Sequence, residues 1–255
     1  MNLLLLDPGE LTGAADGVVV LADRRARHLC TVLGVTVGQR LRAGLVGGAL
    51  GDAEVIAVER ADGDAPRVTV RFAAAAAVTP AAPPIDLVVA IPRPKVLPRL
   101  LENAAACAVR RIDLVNAWRV DKSYLDSPRL APDAVALAVR LGAEQGVTTR
   151  LPEVVVHRRL MAYLDDALPA VHPPGARRLL AHPRDAVAVE RAVPPGCVDP
   201  VVVALGPEGG WIARELDTFV ARGFTAVHLG DAVLRTEAAV TAALAQLALL
   251  RRLPA

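Results

Sequence analysis

The stretch that decides the fold is Leu205-Gly206-Pro207-Glu208-Gly209-Gly210-Trp211, which continues directly from the apolar run of residues 201–205. Residues 212–222, which follow it, have the apolar spacing of an amphipathic helix. A buried strand, a glycine-rich turn and a helix in this order are typical of a parallel α/β sheet, where ligands bind beyond the carboxyl ends of the strands. Three glycines let a ligand approach the backbone closely, so we predict a binding loop here.

The alternation of apolar strands and helices extends outward from this loop over residues 85–255. We predict strands at 85–91, 112–115, 153–156, 178–181, 201–205 and 226–229. We predict helices at 96–109, 132–145, 160–168, 212–222 and 236–250. Because the two kinds of element alternate, the predicted fold class is α/β with a parallel sheet.

Residues 1–73 have a different pattern, in which short runs of β-forming residues are separated by glycine and aspartate. One helical stretch interrupts these runs near residues 24–33. The pattern predicts a small β-barrel at 1–73. Residues 74–84 combine small residues with three prolines, and they predict a linker to the α/β domain at 85–255.

The composition of the 255 residues excludes several classes of protein. With 53% hydrophobic and 22% charged residues, the chain can form a large core, which excludes intrinsic disorder. Its apolar runs are much shorter than the ~20 residues of a membrane helix, so we expect no membrane association. The net charge of +2 gives no broad basic surface, so any RNA-binding site must be local.

The cysteines and histidines show no metal or disulfide pattern. Cys30, Cys107 and Cys197 are far apart and odd in number, so we expect no disulfide framework, no metal and a reducing cytoplasmic location. Cys107 lies in an alanine-rich helix and is predicted to be a core residue. His157 and His172 lie beside arginines or prolines and are predicted to be solvent-exposed.

The glycine-rich loop does not match the common nucleotide-binding motifs. No Lys-Ser or Lys-Thr follows its glycines, as a P-loop requires, and no GxGxxG occurs in the chain. The residues after the predicted strand at 85–91, PRPKVLPRL, also lack the glycine fingerprint of Rossmann-type methyltransferases. ATP, NAD and ordinary Rossmann methyl transfer are therefore disfavoured.

A second motif, LGDAVLRTEAAV at residues 229–240, follows a predicted strand and opens a helix. Thr236 is predicted to cap this helix, and Glu237 in its first turn suits the helix dipole. Capping leaves Gly230 and Arg235 without a role. We therefore predict a second binding loop at an adjacent strand end.

The two motifs together, GPEGGW and LGDAVLRTEAA, resemble those of the ribosomal RNA small-subunit methyltransferase E family of the SPOUT superfamily. Weaker resemblances lie at residues 27–33, 143–152 and 180–183. The sequence departs from the family pattern at a few positions, where a family lysine, glutamate, glycine, arginine or serine is replaced. These positions are Asn103, Ala106, Ala108, Gly34 and Val120.

The resemblance implies an N-terminal PUA-like RNA-binding β-barrel, a C-terminal parallel sheet with a SPOUT-type trefoil knot, and a homodimer. It also implies S-adenosylmethionine (SAM) as cofactor and N3 of a uridine in 16S rRNA, or in the small ribosomal subunit, as the methylated atom. Carried over by position, the cofactor-binding residues are Leu180, His182, Leu205, Gly206, Pro207, Glu208, Gly209, Gly210, Leu229, Gly230, Val233 and Leu234.

Methyl transfer to a uridine requires chiefly the orientation of nucleophile and methyl group. Negative charge develops on the uracil carbonyl oxygens, where Arg235 is a candidate stabiliser. Glu208 and Glu237 are the carboxylates nearest the motifs and complete the candidate catalytic set. The candidate RNA-binding residues are Arg24, Arg25, Arg27, His28, Arg119 and Arg150.

Two other interpretations stay open. The same chemistry could act on another RNA base. Alternatively, the chain could be a ribosome-assembly or RNA-binding protein that keeps the fold without turnover. The retained glycine-rich loops favour the enzyme, because a non-catalytic scaffold has no use for glycine-lined pockets at two adjacent strand ends.

Overall fold

A computed structural model describes residues 1–11, 17–60, 65–75, 84–172 and 175–254. The chain forms two compact units. The first comprises Met1–Ala81 and Ala143–Leu151, and the second comprises Ala82–Gly142 and Pro152–Ala255. The domain bounds 1–73 and 85–255 stay a prediction. The first compact unit differs from the predicted first domain because it also includes Ala143–Leu151. Most of the predicted linker, residues 76–83, lies outside the described residues.

The first unit is built on a five-stranded mixed sheet in the order β1-β3-β4-β5-β2. Strand β1 pairs with β3 in parallel, and the other neighbours are antiparallel. The elements are β1 (Leu4–Leu6), α1 (Pro8–Leu11), β2 (Val18–Leu21), α2 (Arg24–Thr31), β3 (Arg40–Leu45), β4 (Leu50–Glu59) and β5 (Arg67–Ala74). Alternating apolar residues such as Val68 and Val70 point into its core, as expected for a sheet with one buried face.

Strand β1 was not among the predicted strands. Its leucines are buried on both faces: Leu4 and Leu6 pack in the main core of the unit, whereas Leu3 and Leu5 pack against Ala143. A strand that is buried on both faces has apolar residues at every position. The alternation of apolar and polar residues that identifies a half-buried strand is therefore absent from MNLLLL.

The second unit is built on a seven-stranded sheet in the order β10-β12-β9-β11-β6-β7-β8, and all of its pairings are parallel. Its strands are β6 (Ile85–Ala90), β7 (Arg111–Val115), β8 (Glu153–His157), β9 (Arg177–Ala181), β10 (Val187–Ala188), β11 (Val201–Leu205) and β12 (Thr225–His228). The predicted α/β class with a parallel sheet is confirmed. The six predicted strands end within one residue of the observed ones, and the two-residue β10 was missed.

Seven helices are described in the part of the chain that follows β6. They are α3 (Leu97–Ala106), α4 (Pro132–Gly146), α5 (Leu160–Ala162), α6 (Leu168–Val171), α7 (Val189–Ala192), α8 (Ala213–Ala221) and α9 (Thr236–Arg252). Two 3-10 turns, Lys122–Asp126 and Pro128–Leu130, precede α4. A π turn, Tyr163–Ala167, joins α5 to α6. No helix among the described residues is long and apolar enough to cross a membrane.

Two local predictions for helices are corrected. Cys107 follows the last turn of α3 and is exposed, so it is not a core residue. Helix α9 begins at Thr236 with Arg235 as its N-cap residue, and the Thr236 hydroxyl donates to the Gly206 carbonyl at 3.4 Å. Thr236 therefore ties the helix to the glycine-rich loop and does not cap the helix.

A buried ionic network lies between the sheet and the segment from α5 to α6. His172 is 1% exposed, and its Nδ1 lies 2.7 Å from Oδ2 of Asp86 on β6. Its Nε2 lies 3.0 Å from the Tyr163 hydroxyl and 3.3 Å from Oδ2 of Asp113 on β7. His157 Nε2 lies 2.7 Å from Oδ1 of the same Asp113. The prediction that His157 and His172 are solvent-exposed is therefore wrong.

The charges in this network stabilise one another. Burial by itself would raise the pKa of Asp113, but hydrogen bonds from two histidines and Arg111 bring it below its ordinary value. Burial would lower the pKa of His172, but the facing carboxylates of Asp113 and Asp86 raise it. Below its raised pKa the histidine is a cation between two carboxylates, and it links the end of α6 to β6 and β7.

Candidate functional site

The predicted binding loops come together in one cavity of about 450 Å³ in the second unit. This volume is within the ~300–1,000 Å³ of small-molecule sites. The loops that follow β9, β11 and β12 form its walls. Its lining residues are Ala181, His182, Pro183, Leu205, Gly206, Pro207, Glu208, Gly209, Gly210, Trp211, Leu229, Gly230, Ala232, Val233, Leu234, Arg235, Thr236 and Ala239.

The register of the sheet explains why these loops meet. Leu205 at the end of β11 pairs with Ala181 at the end of β9, and Ala181 pairs in turn with Val227 of β12. Three neighbouring parallel strands therefore end at nearly the same level. The loops that leave them share one edge of the sheet, which is where ligands bind in open parallel sheets.

The glycines of these loops have specific structural roles. Gly210 and Gly230 have φ angles of 72° and 126°, a region that side chains with a Cβ rarely adopt. A Cβ on Gly206 would lie 3.0 Å from Nε1 of Trp211, so a side chain at this position would press against the indole. A Cβ on Gly210 or Gly230 would meet no described atom within 4 Å, so both positions border open space at the cavity.

Hydrogen bonds to backbone groups fix the loop after β11. The Gly210 N–H donates to the Pro207 carbonyl at 2.8 Å, which closes the turn. Arg119, in the loop after β7, donates through Nη1 to the Gly209 carbonyl. The Arg93 N–H donates to Oε1 of Glu208 at 3.3 Å. The loop is therefore held from both sides before any ligand binds, which lowers the entropic cost of binding.

Trp211 supplies a polar group to the floor of the cavity. Its side chain packs against Phe219 with ring centroids 4.9 Å apart. The residue is 5% exposed, and its Nε1 has no hydrogen-bond partner within the described residues. A buried N–H without a partner is costly, and a ligand acceptor would relieve that cost. This unpartnered donor and the glycine turns fit a small ligand with acceptor atoms.

Most of the predicted cofactor residues line the cavity. Leu180 does not, because it is buried within β9, and its neighbour Ala181 lines the wall instead. His182 lines the wall, and its Nδ1 lies 2.7 Å from the Arg184 carbonyl oxygen. Val233 and Leu234 form an apolar wall that is partly open to solvent.

The three candidate catalytic residues are placed differently. Arg235 lines the cavity and is exposed, and within the described residues it forms no ion pair. Glu208 lines the cavity beside Arg93, whose Nε lies 3.7 Å from Oε1 of the carboxylate. Glu237 is half-buried in the first turn of α9 and does not line the cavity. The geometry brings together Arg235 and Glu208, but not Glu237.

The candidate RNA-binding residues fall in both units. Arg119 belongs to the second unit, whereas Arg150 and the residues of α2 belong to the first. Arg25 is 5% exposed and donates to Glu10, Asp23 and the Leu5 carbonyl, so its guanidinium is structural. The other members are Arg24, which donates to Glu144 at 2.9 Å, the half-buried His28, and the exposed Arg27. The RNA-binding role of this helix stays a prediction, and Arg27 is its most accessible cation.

Sequence reasoning missed Arg93, which holds Glu208, and Trp118, which is 79% exposed beside Arg119. The signal for Arg93 was available, because PRPK follows β6 at the same sheet edge as the glycine-rich loop.

No cluster of three or more histidine, cysteine or acidic side chains in the described part of the chain could hold a metal ion.

Comparison with known proteins assigns the family. The model of the RNA methyltransferase domain family matches residues 80–248. The chain belongs to this family. Its RNA methyltransferase domain thus includes the whole cavity.

Relatives confirm the resemblance to the methyltransferase E family. The chain is 28% identical to ribosomal RNA small subunit methyltransferase E of Treponema pallidum over 96% of this chain and 90% of that one. A ribosomal RNA small subunit methyltransferase E from Neisseria gonorrhoeae, solved with bound SAM, superimposes with a TM-score of 0.77 at 24% identity, with 96% of each chain covered. A methyltransferase structure from Legionella pneumophila with bound SAM gives 0.76 at 23% identity, also over 96% of each chain. At these identities the structural likeness shows the fold.

Proposed function

We propose that this protein methylates N3 of a uridine in 16S rRNA of the small ribosomal subunit, with S-adenosylmethionine as the methyl donor. The observation that carries the proposal is the cavity at the ends of β9, β11 and β12, with the guanidinium of Arg235, which forms no ion pair with any described residue, in its wall. The family supports methyl transfer to RNA, and the SAM-bound structures of similar fold support SAM as the donor.

The three loops of the cavity would hold the cofactor. Glycine-rich turns expose backbone N–H and C=O groups, which can read a neutral adenosine without the anion cradle that a triphosphate needs. The apolar wall of Val233 and Leu234 and the unpartnered Nε1–H of Trp211 complete the pocket. When bound, SAM supplies an electrophilic methyl group on a sulfonium.

The residues of the chain then act on the uridine. Arg235 has no competing carboxylate within the described residues, so its guanidinium is free to hydrogen-bond the uracil oxygens as negative charge develops on them. The N3 proton must leave, and Glu208 is the carboxylate in the cavity wall that can accept it. Arg93 holds that carboxylate in place.

The proposal includes the finer architecture that the resemblance implies: a PUA-like barrel in the first unit, a trefoil knot in the second, a homodimer and a cytoplasmic location. The exposed apolar side chains of Val198, Leu249 and Leu253 support a homodimer.

Cofactor binding is testable with Trp211 as the reporter. The chain has two tryptophans, so Trp118→Phe leaves Trp211 alone in the cavity wall. In this background we expect SAM to change the Trp211 emission saturably. Gly210→Val places a branched side chain in the open space at the cavity and should weaken SAM binding by more than about tenfold, or 1.4 kcal/mol.

Gly223→Val is the matched control for that variant. Its φ angle of 81° is close to the 72° of Gly210, and its Cβ would also meet no described atom within 4 Å. It precedes β12, at the opposite edge of the sheet from the cavity. Both variants carry the same backbone strain, so equal SAM affinities in the two would contradict the assignment of the cofactor site.

Substitutions of the buried Arg25 and the exposed Arg27 in α2 distinguish an effect on stability from an effect on RNA binding. Arg25→Ala removes the partner of Glu10 and Asp23 and should destabilise the fold by about 1–3 kcal/mol, with the loss of buried hydrogen bonds as the cause. Arg27→Ala should leave the thermal midpoint unchanged and reduce the salt dependence of 16S rRNA binding. If Arg27→Ala binds the rRNA with the wild-type affinity and salt slope, α2 is not an RNA-binding face.

A further inference from the structure

We propose that a second concave site, formed by Lys95, Arg99 and Arg129, binds a backbone phosphate of the substrate RNA close to the target base. The inference rests on the proposed function and adds a substrate-positioning site to it. The site is a cavity of about 410 Å³ in the second unit, separate from the cofactor cavity. Its lining residues are Pro94, Lys95, Pro98, Arg99, Glu102 and Arg129.

Charge is the first argument for an anionic ligand. Three cations face one carboxylate in this cavity, and in the part of the chain that the structure describes none of the three forms an ion pair. Like charges that converge on one concave surface repel one another, and a bound anion would relieve the repulsion. Arg99 and Arg129 can each donate two parallel hydrogen bonds to a phosphate.

The backbone around the site is stiff. Pro94 and Pro98 flank Lys95, and their fixed φ angles restrict this segment. Arg99 lies in the first turn of α3, a ten-residue helix whose positive dipole end points toward the same region. The site is therefore formed by fixed backbone and three converging cations, and not by one flexible side chain.

Position is the argument for RNA as the ligand. Arg93 immediately precedes Pro94, and it contacts Glu208 in the wall of the cofactor cavity. Strand β6, which leads into this segment, is hydrogen-bonded to β11, which leads into the glycine-rich loop. The basic cavity therefore lies on the same sheet edge as the proposed methyl-transfer site. A polynucleotide whose base enters one cavity carries phosphates that can reach the other.

The site is tested by variants that remove one of its positive charges and by a variant that removes its negative charge. Binding of a 16S rRNA transcript is measured for each variant across a range of salt concentrations. Arg99→Gln and Arg129→Gln should each weaken binding about three- to tenfold near physiological salt and lower the salt slope by about 1. Glu102→Gln removes the one carboxylate among the described lining residues of the cavity and should strengthen binding. Thermal midpoints should stay at the wild-type value, because these side chains lie at the surface.

Arg252→Gln is the control for a generic loss of positive charge. Arg252 lies in the last turn of α9, and its neighbour Arg251 donates to the Pro84 carbonyl before β6, at the opposite edge of the sheet. If Arg99→Gln and Arg129→Gln bind the transcript no more weakly than Arg252→Gln, the phosphate site is wrong. Methyl transfer by the wild-type protein is measured in a separate assay. Absence of methyl transfer would contradict the proposed function, whereas the binding measurements alone decide whether the phosphate site exists.

Discussion

Arg235→Lys is expected to lower the rate of methyl transfer about 100- to 1,000-fold, as the loss of a charged donor to a developing oxyanion typically does. The SAM affinity and the thermal midpoint should stay at their wild-type values. Lysine keeps the positive charge but cannot reproduce the planar fork of the guanidinium. Within the described residues Arg235 forms no ion pair, so the substitution breaks no salt bridge there.

The rate of methyl transfer and the thermal midpoint should be measured on the same preparation. The rate is measured under saturating SAM and RNA. Arg93→Lys is a useful comparison, because Arg93 does not line the cavity and already contacts Glu208 in its wall. It should have a smaller effect than Arg235→Lys. A lower thermal midpoint for Arg235→Lys, with turnover per folded molecule preserved, would show that Arg235 is a structural residue.

His172→Leu is expected to lower the free energy of unfolding of the second unit by about 3 kcal/mol. It removes the imidazole that bridges Asp86 and Asp113, and both carboxylates stay buried with fewer cationic partners: Arg110 for Asp86, and Arg111 and His157 for Asp113. His228→Leu, outside the network, is the control and should cost much less. Urea unfolding near pH 6 measures both values.

The network also sets a pH window for stability. The pKa of His172 is raised above its ordinary 6.5, so its contribution is complete below pH 6.5 and is lost as the pH rises through the raised value. The pKa values of Asp86 and Asp113 are lowered from 3.8, so their contribution is present above pH 3.8 and is lost as the pH falls through the lowered values.

Stability of the wild-type protein should therefore be greatest between about pH 4 and 6.5. His172→Leu should lose the decline on the alkaline side of this window. Its decline on the acidic side should become smaller, because His172 is one of the groups that lower the pKa values of Asp86 and Asp113. An alkaline decline of equal size in the variant and the wild type would show that His172 is not the titrating group.

The cofactor loops could be predicted from the sequence because each is a continuous stretch with a local signal. Glycines directly after an apolar strand indicate a close approach of backbone and ligand, and parallel strands place such turns at one edge. The structure gathers the two predicted loops and the segment at 180–183 around one cavity. The identity of the bound group came from the family resemblance, since glycine turns alone do not distinguish one small ligand from another.

The buried network could not be predicted, because its members are distant in sequence. His172 and Asp86 are 86 residues apart, and His157 and Asp113 are 44 apart. No local pattern distinguishes a histidine that will be buried between two carboxylates from one in a solvated loop. For the same reason Arg25 could not be separated from Arg27, although their neighbours in sequence are almost the same.

Ala108 shows what a departure from the family pattern means physically. The resemblance places a family glycine at this position, and here the backbone of the alanine adopts a left-handed φ of 55°. An alanine in this conformation is strained by roughly 1 kcal/mol. Asn103, at the family's lysine position, donates from Nδ2 to the Thr241 hydroxyl at 3.4 Å and so helps to hold α3 against α9.

The central claim is that the cavity at the ends of β9, β11 and β12 transfers a methyl group from SAM to a uridine N3. The most direct test incubates the protein with methyl-labelled SAM and small ribosomal subunits from a strain that lacks the gene, and then identifies the labelled nucleoside by mass spectrometry. We expect labelled 3-methyluridine from one position of 16S rRNA, and at limiting SAM much less label with the Gly210→Val variant than with the wild type. Label in a different nucleoside, or no label with a protein that binds SAM, would contradict the account.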